Sequence, residues 1–160
     1  MASIRDEMTA WTVSPRRYSE DEENPFIFST ICLAVSGRSK LNDHSASLMA
    51  SDYQCIINNM KDILEGTRDY FTLETIEPFL VLHVSTAANV FKIQVTHVVE
   101  EYDDDEEYDD GKEEEDEDDE YGAFNKTVYE ITCDRSALER FVGELEYEFD
   151  QVDKTPPWLP

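Results

Sequence analysis

The sequence predicts an α+β fold: an antiparallel sheet with two helices packed on it in two layers, and a long, acidic, disordered loop. Three observations lead there. Strand-like runs follow one another across short connections, and two segments repeat apolar residues at helical spacing behind capping signals. The order is strands, helix, strands, helix, which does not build a parallel, doubly wound sheet. The length of 160 residues suits one domain spanning 1–160, since a chain of this size can bury roughly 70% of the surface its unfolded form exposes.

Met8 to Val13 reads as a short strand around Trp11, followed by a polar break from Ser14 to Asn24 that ends at Pro25. From Phe26 to Val35, Ile27, Ile31, Leu33 and Val35 share one face while Phe28, Cys32 and Ala34 share the other, which predicts a strand covered on both sides. Gly37 to Asp43 is expected to be a hairpin connection and His44 to Met49 the partner strand. Ser51 with Gln54 has capping-box spacing. Behind it Tyr53, Ile56, Ile57, Met60, Ile63 and Leu64 recur at 3.6-residue spacing, so an amphipathic helix ends near Gly66.

Tyr70 to Ile76 then leads through Pro78 to the strongest strand pair. Phe79 to Val84 is a continuous apolar run. Across the short Ser85 to Asn89 linker, Phe91, Ile93, Val95 and Val99 alternate with Lys92, Gln94 and Thr96. Phe124 to Cys133 restores strand character and is expected to pair with Val90 to Val99. Ser136 with Glu139 reads as a second capping box, opening a helix whose Leu138, Phe141, Val142, Leu145 and Phe149 form one apolar stripe. Both stripes are read as core faces. Residues 153–160 form a proline-rich tail.

Charge dominates the composition. The chain has 38 acidic and 13 basic residues, a net charge of −25. From Glu100 to Glu120 there are 17 acidic residues and one lysine, a density that repels itself and buries too little apolar surface to offset ordering entropy. Residues 100–121 are therefore expected to be a flexible insertion between two strands. Such a charge disfavours bare nucleic acid or an anionic membrane as partner and favours a basic protein. Glu101, Tyr102, Asp103, Asp104, Asp105, Glu106, Tyr108, Asp109 and Asp110 are the candidate partner-binding residues, with the carboxylates steering association and the tyrosines as anchors.

The chemistry of other functions is missing from the pattern. Cys32, Cys55 and Cys133 are odd in number and lack CxxC spacing, so neither a disulfide framework nor a zinc knuckle is signalled, and the cytoplasm is the expected compartment. The first eleven residues contain Arg5, Asp6 and Glu7 and no apolar signal region. Asp103, Asp105, Glu107 and Asp109 lack EF-hand spacing. His83 and His97, on adjacent predicted strands, could approach each other but have no third ligand. The five glycines stand isolated at 37, 66, 111, 122 and 143, so no phosphate loop is present. His44 sits beside Asp43 and Ser45, and strand neighbours point to opposite faces, which argues against a triad. No cofactor and no enzymatic activity are expected.

The segment Tyr70-Phe71-Thr72-Leu73-Glu74-Thr75-Ile76-Glu77-Pro78-Phe79-Leu80-Val81-Leu82 carries a resemblance. An aromatic-led polar strand, Glu77-Pro78, an apolar strand, a short hairpin and another strand resemble the WapI-like family of bacterial immunity proteins. The preceding helix, the strand Val128 to Cys133, the Ser136 helix and the Pro156-Pro157 tail follow that family's order. The resemblance implies a cytoplasmic antidote that binds a cognate toxin, often a nuclease, and blocks its active site, with no catalytic residues. The acidic stretch departs from the family pattern. The expected function is thus a non-enzymatic acidic inhibitor that occludes a toxin. The alternatives are a DNA-mimicking counter-defence inhibitor of a nucleic-acid-binding protein and a histone-chaperone-like acidic protein.

Overall fold

The computed structural model describes residues 1–18, 26–75, 80–100 and 124–152. The predicted α+β architecture is present, with nine strands and two helices among the described residues, the strands divided between two antiparallel sheets. The first sheet holds β1 (Ala2–Arg5), β2 (Thr9–Tyr18), β3 (Phe26–Val35) and β4 (Arg38–Asp43) in that order, with β5 (Ala46–Met49) pairing β3 beyond the end of β4. The second holds β6 (Tyr70–Glu74), β7 (Leu80–Ala87), β8 (Val90–Glu100) and β9 (Phe124–Cys133), again in chain order. The β1–β4 and β6–β9 paths are therefore meanders, and β5 continues past β4 along the same edge of β3. Helix α1 (Ala50–Glu65) carries the chain from one sheet to the other, and α2 (Arg135–Gln151) follows β9.

β3 and β9 occupy the ranges their sequence pattern predicts, and β8 pairs with β9 without a register shift from Phe91 opposite Cys133 to Glu100 opposite Phe124. Other details differ from expectation. β1 was not foreseen, because four residues carry too little alternation to register as a strand. Arg38–Asp43 is a paired strand and not a connection; the turn before it is only Ser36–Gly37, both at positive φ. Ala88–Asn89 makes the corresponding two-residue turn between β7 and β8, again with both φ positive, the geometry that matches the twist of paired strands.

Both helix starts lie upstream of the sequence-read capping boxes. α1 begins at Ala50, where the Asp52 carboxylate accepts the Met49 N–H at 2.8 Å. α2 is capped by Asp134, whose carboxylate accepts the Ala137 N–H at 2.8 Å, which places Ser136 inside the first turn. In each case a carboxyl group, in place of a hydroxyl, accepts at the helix start. Asp52 is itself buried, and burial raises its carboxyl pKa above the ordinary value against the lowering effect of the Met49 N–H.

The helices lie over both sheets. α1 touches β5, β6 and β7, while α2 touches β1, β2 and β8. One hydrophobic cluster contains the predicted stripes, with Tyr53, Ile56, Ile57, Met60 and Ile63 from α1 and Leu138, Phe141, Val142, Leu145 and Phe149 from α2. From the sheets come Trp11, Ile27, Ile31 and Leu33, and Leu80, Leu82, Val84, Phe91, Ile93, Val95 and Ile131. Each such large side chain contributes about 1.5–3 kcal/mol on burial. Phe141 stands 5.4 Å from the Trp11 ring and Phe149 stacks on Tyr53 at 5.5 Å, so α2 is keyed to the first sheet and to α1 at once. Ion pairs frame this packing: Lys61 to Glu146 at 2.6 Å between the helices, and the Met1 amine to Glu148 at 2.7 Å.

Candidate partner-binding surface

The acidic stretch is rooted on a regular element. Because β8 and β9 stay paired to Glu100 opposite Phe124, the chain leaves and re-enters the second sheet at adjacent points. The candidate residues Glu101, Tyr102, Asp103, Asp104, Asp105, Glu106, Tyr108, Asp109 and Asp110 lie outside the described residues, as do Glu77 and Pro78. Beside the root, His97 is half-buried on β8; burial lowers its pKa, and the Asp43 carboxylate pulls in the opposite direction.

The described histidines are dispersed. His97 stands opposite Leu80 and His83 opposite Gln94, so the two are three register positions apart and face opposite sides of the sheet. The two do not come together, in keeping with the absence of a metal-site pattern in the sequence. His83 Nδ1 meets Thr72 Oγ1 at 2.8 Å with its ring 5.9 Å from Tyr70, and His44 Nδ1 meets Thr30 Oγ1 at 3.2 Å. Among the described residues no three His, Cys, Asp or Glu side chains gather as a metal site.

Two further surface features lie outside the acidic stretch, the first of them not read from the sequence. Where α1 turns into β6, an open depression of about 400 Å³ is lined by Asn59, Arg68, Asp69, Tyr70, Phe71 and Thr72. Tyr70 at its rim is 62% exposed. The second is the outer face of α2. Opposite its buried stripe, Glu139, Arg140, Gly143, Glu144, Tyr147 and Asp150 are all exposed, and Tyr147 is 67% exposed. The helix holds five carboxylates against two guanidinium groups. Helical periodicity alone marks this face as acidic, since it is the complement of the apolar stripe.

An α+β body whose chain carries a dense acidic stretch and whose surface exposes Tyr70 and Tyr147 has the character of a binding protein. Comparison with known proteins makes this specific. The model of the immunity protein WapI-like family matches residues 4–153. Immunity protein WapI of Bacillus subtilis (strain 168) is 31% identical over 160 residues, the full length of both chains. No solved structure gives a significant match. The chain belongs to the WapI-like immunity family, a class of toxin inhibitors and not of enzymes. Its role is to bind and inhibit a cognate toxin.

Proposed function

We propose that this immunity protein inhibits by occlusion, its carboxylates occupying the cationic, nucleic-acid-binding cleft of a nuclease-type toxin. The observation that supports this reading is the paired root of the acidic stretch: 17 carboxylates between residues 100 and 120 issue from the end of a regular hairpin. A dense negative charge on a folded body imitates the phosphates a nuclease cleft is built to hold, and it accelerates encounter with a basic surface by roughly 10 to 1,000-fold at low salt. Residues 101–106 and 108–110 are the proposed contacts, the carboxylates with Tyr102 and Tyr108 as anchors. The protein acts in the cytoplasm, where the toxin's nucleic-acid substrate lies. Among the described residues no helix is long and apolar enough to cross a membrane.

The test is the affinity of the purified toxin complex as a function of salt, for the full chain and for a variant lacking residues 101–120. Occlusion by charge requires affinity to fall steeply with salt in the full chain, a shallower dependence in the variant, and competition by duplex DNA. A salt-independent affinity that survives the deletion would remove the acidic stretch from the mechanism.

A further inference from the structure

A strand inside a sheet satisfies its backbone on two sides, and a strand at the edge on one. β9 is an edge of the second sheet, paired with β8 from Phe91 opposite Cys133 to Glu100 opposite Phe124 with no register shift. The Thr132 N–H donates to Asp6, which belongs to the first sheet's β1–β2 turn, so it points away from β8. Strand alternation then turns the backbone groups of Glu130, Val128 and Lys126 the same way. The Ala88–Asn89 turn gives the same phase. A two-residue turn is closed by a bonded pair, here Ala87 and Val90, and counting on from it makes Ile93, Val95 and His97 the β8 residues that bond β9, at Ile131, Tyr129 and Thr127. Among the described residues no hydrogen bond reaches the outward backbone groups of Lys126, Val128 or Glu130.

The other edges are blunted against pairing. β1 is four residues long and lies against α2 and β9. β4 and β5 share an edge broken by register shifts along β3 and carrying Arg38 and Lys40, and β6 is five residues long and borders α1. Short strands, bulges and edge lysines are the devices that keep a sheet from adding another strand. β9 is ten residues long and unbroken. Its Val128 is 57% exposed, and the Glu130 carboxylate turns back across the sheet onto Gln94 at 3.1 Å and Lys92 at 3.6 Å, away from the edge.

We infer that the β9 edge pairs with an extended segment of the toxin, which adds a strand to the second sheet along Lys126, Val128 and Glu130. This rests on the toxin-binding reading above and gives it a main-chain contact. Unpaired N–H and C=O groups at strand spacing recognise a peptide backbone, here over about 14 Å. The Val128 side chain supplies a cross-strand neighbour for an apolar or β-branched residue of the added strand. Asp6 sets one limit, because the Thr132 N–H is already taken. From there the free edge runs toward Phe124, where the acidic stretch rejoins the sheet, so a strand seated on it lies beside the charge that draws a basic surface. The same charge opposes a second copy of this chain as occupant, since each copy carries −25.

The experiment is amide hydrogen exchange of the full chain, resolved by residue, free and saturated with the purified toxin domain whose lethality it suppresses on co-expression. In the free protein the amides of Lys126, Val128 and Glu130 should exchange about tenfold or more faster than those of Thr127, Tyr129 and Ile131, and in the complex they should slow by about tenfold or more. Outward amides that stay fast in the saturated complex would overturn the inference while leaving toxin binding intact. Their protection in concentrated free protein would assign the edge to a second copy and overturn it too. Val128→Pro removes one outward N–H and no bond to β8, and should weaken binding about tenfold or more; Val128→Ala keeps that N–H and should bind within about threefold of wild type. Equal losses in both variants would place the effect in the side chain and overturn strand addition, and the exchange measurement on the wild-type chain decides the matter if Val128→Pro does not fold. Failure of the wild-type protein itself to bind would overturn both readings.

Discussion

The Asp6 carboxylate joins the two sheets: its Oδ2 accepts the N–H of Thr132 on β9 at 3.1 Å, while Oδ1 accepts the N–H groups of Met8 and Thr9, each at 2.8 Å. One side chain thus closes the turn between β1 and β2 and fastens it to the edge of the other sheet, whose β9 strand touches both β1 and β2.

That arrangement sets a pH dependence. Partial burial is the largest single influence and disfavours the ionised form, but the N–H groups of Thr9, Met8, Thr132 and Asp6 itself outweigh it, so the pKa lies below the ordinary 3.8. A carboxylate whose pKa is depressed by folding adds stability that is present in full above its unfolded value. That stability is lost as pH falls through the folded value. Asp6→Ala should therefore destabilise the protein at pH 7, with the gap from wild type closing as pH drops below about 4. Chemical denaturation from pH 2 to 7 measures both curves; a gap independent of pH would contradict this account.

Tyr53 tests the polar contact inside the core. Its hydroxyl donates to Ser29 Oγ at 2.6 Å, and Ser29 in turn donates to the Ile27 carbonyl at 3.1 Å. Burial raises the phenol pKa well above its ordinary value, so the group stays neutral at any pH at which the protein works. Tyr53→Phe leaves Ser29 without its donor partner and should cost about 1–2 kcal/mol in urea denaturation. A neutral result would mean that Ser29 finds another partner.

Gly66 is held by its backbone conformation. It terminates α1 at φ 80°, and its N–H and that of Thr67 bond back to the carbonyls of Ile63 and Asp62 at 3.2 and 3.0 Å. A Cβ there would meet nothing within 4 Å, so any penalty comes from the backbone conformation alone. Gly66→Ala should lower stability by about 1 kcal/mol, or roughly 2–4 °C in thermal melting.

Cys133 should be slow to alkylate. Burial first, then the charges of Asp134 and Asp6, push its thiol up to about 11. At pH 8 only about one such thiol in a thousand is ionised, and the thiolate is the reactive form. Mass-spectrometric mapping after brief iodoacetamide treatment should find Cys133 largely unmodified at pH 8 and reactive once the chain is unfolded in urea.

Much of the fold is local in origin and was legible for that reason. The α1 and α2 stripes are buried at Tyr53, Ile56, Ile57, Met60 and Ile63 and at Leu138, Phe141, Val142, Leu145 and Phe149, with the predicted Leu64 only partly buried at the margin, because helical periodicity selects one face before any partner is known. β3 and β9 kept their limits for the same reason, each ending where a turn or a helix start interrupts it. The candidate contacts in the acidic stretch were chosen on charge density, a property of composition that carries no information about place.

Other features depend on residues far apart in the chain, and no window of neighbouring residues contains them. The division of the strands into two sheets follows from how α1 and α2 lie across both of them, with Phe141 meeting Trp11 and Phe149 meeting Tyr53. The link from Asp6 to Thr132 spans 126 positions. The meaning of a glycine also depends on surroundings: Gly66 and Gly143 are the same letter, and only backbone angle and neighbouring space distinguish a residue the helix end requires from one left open on an exposed face.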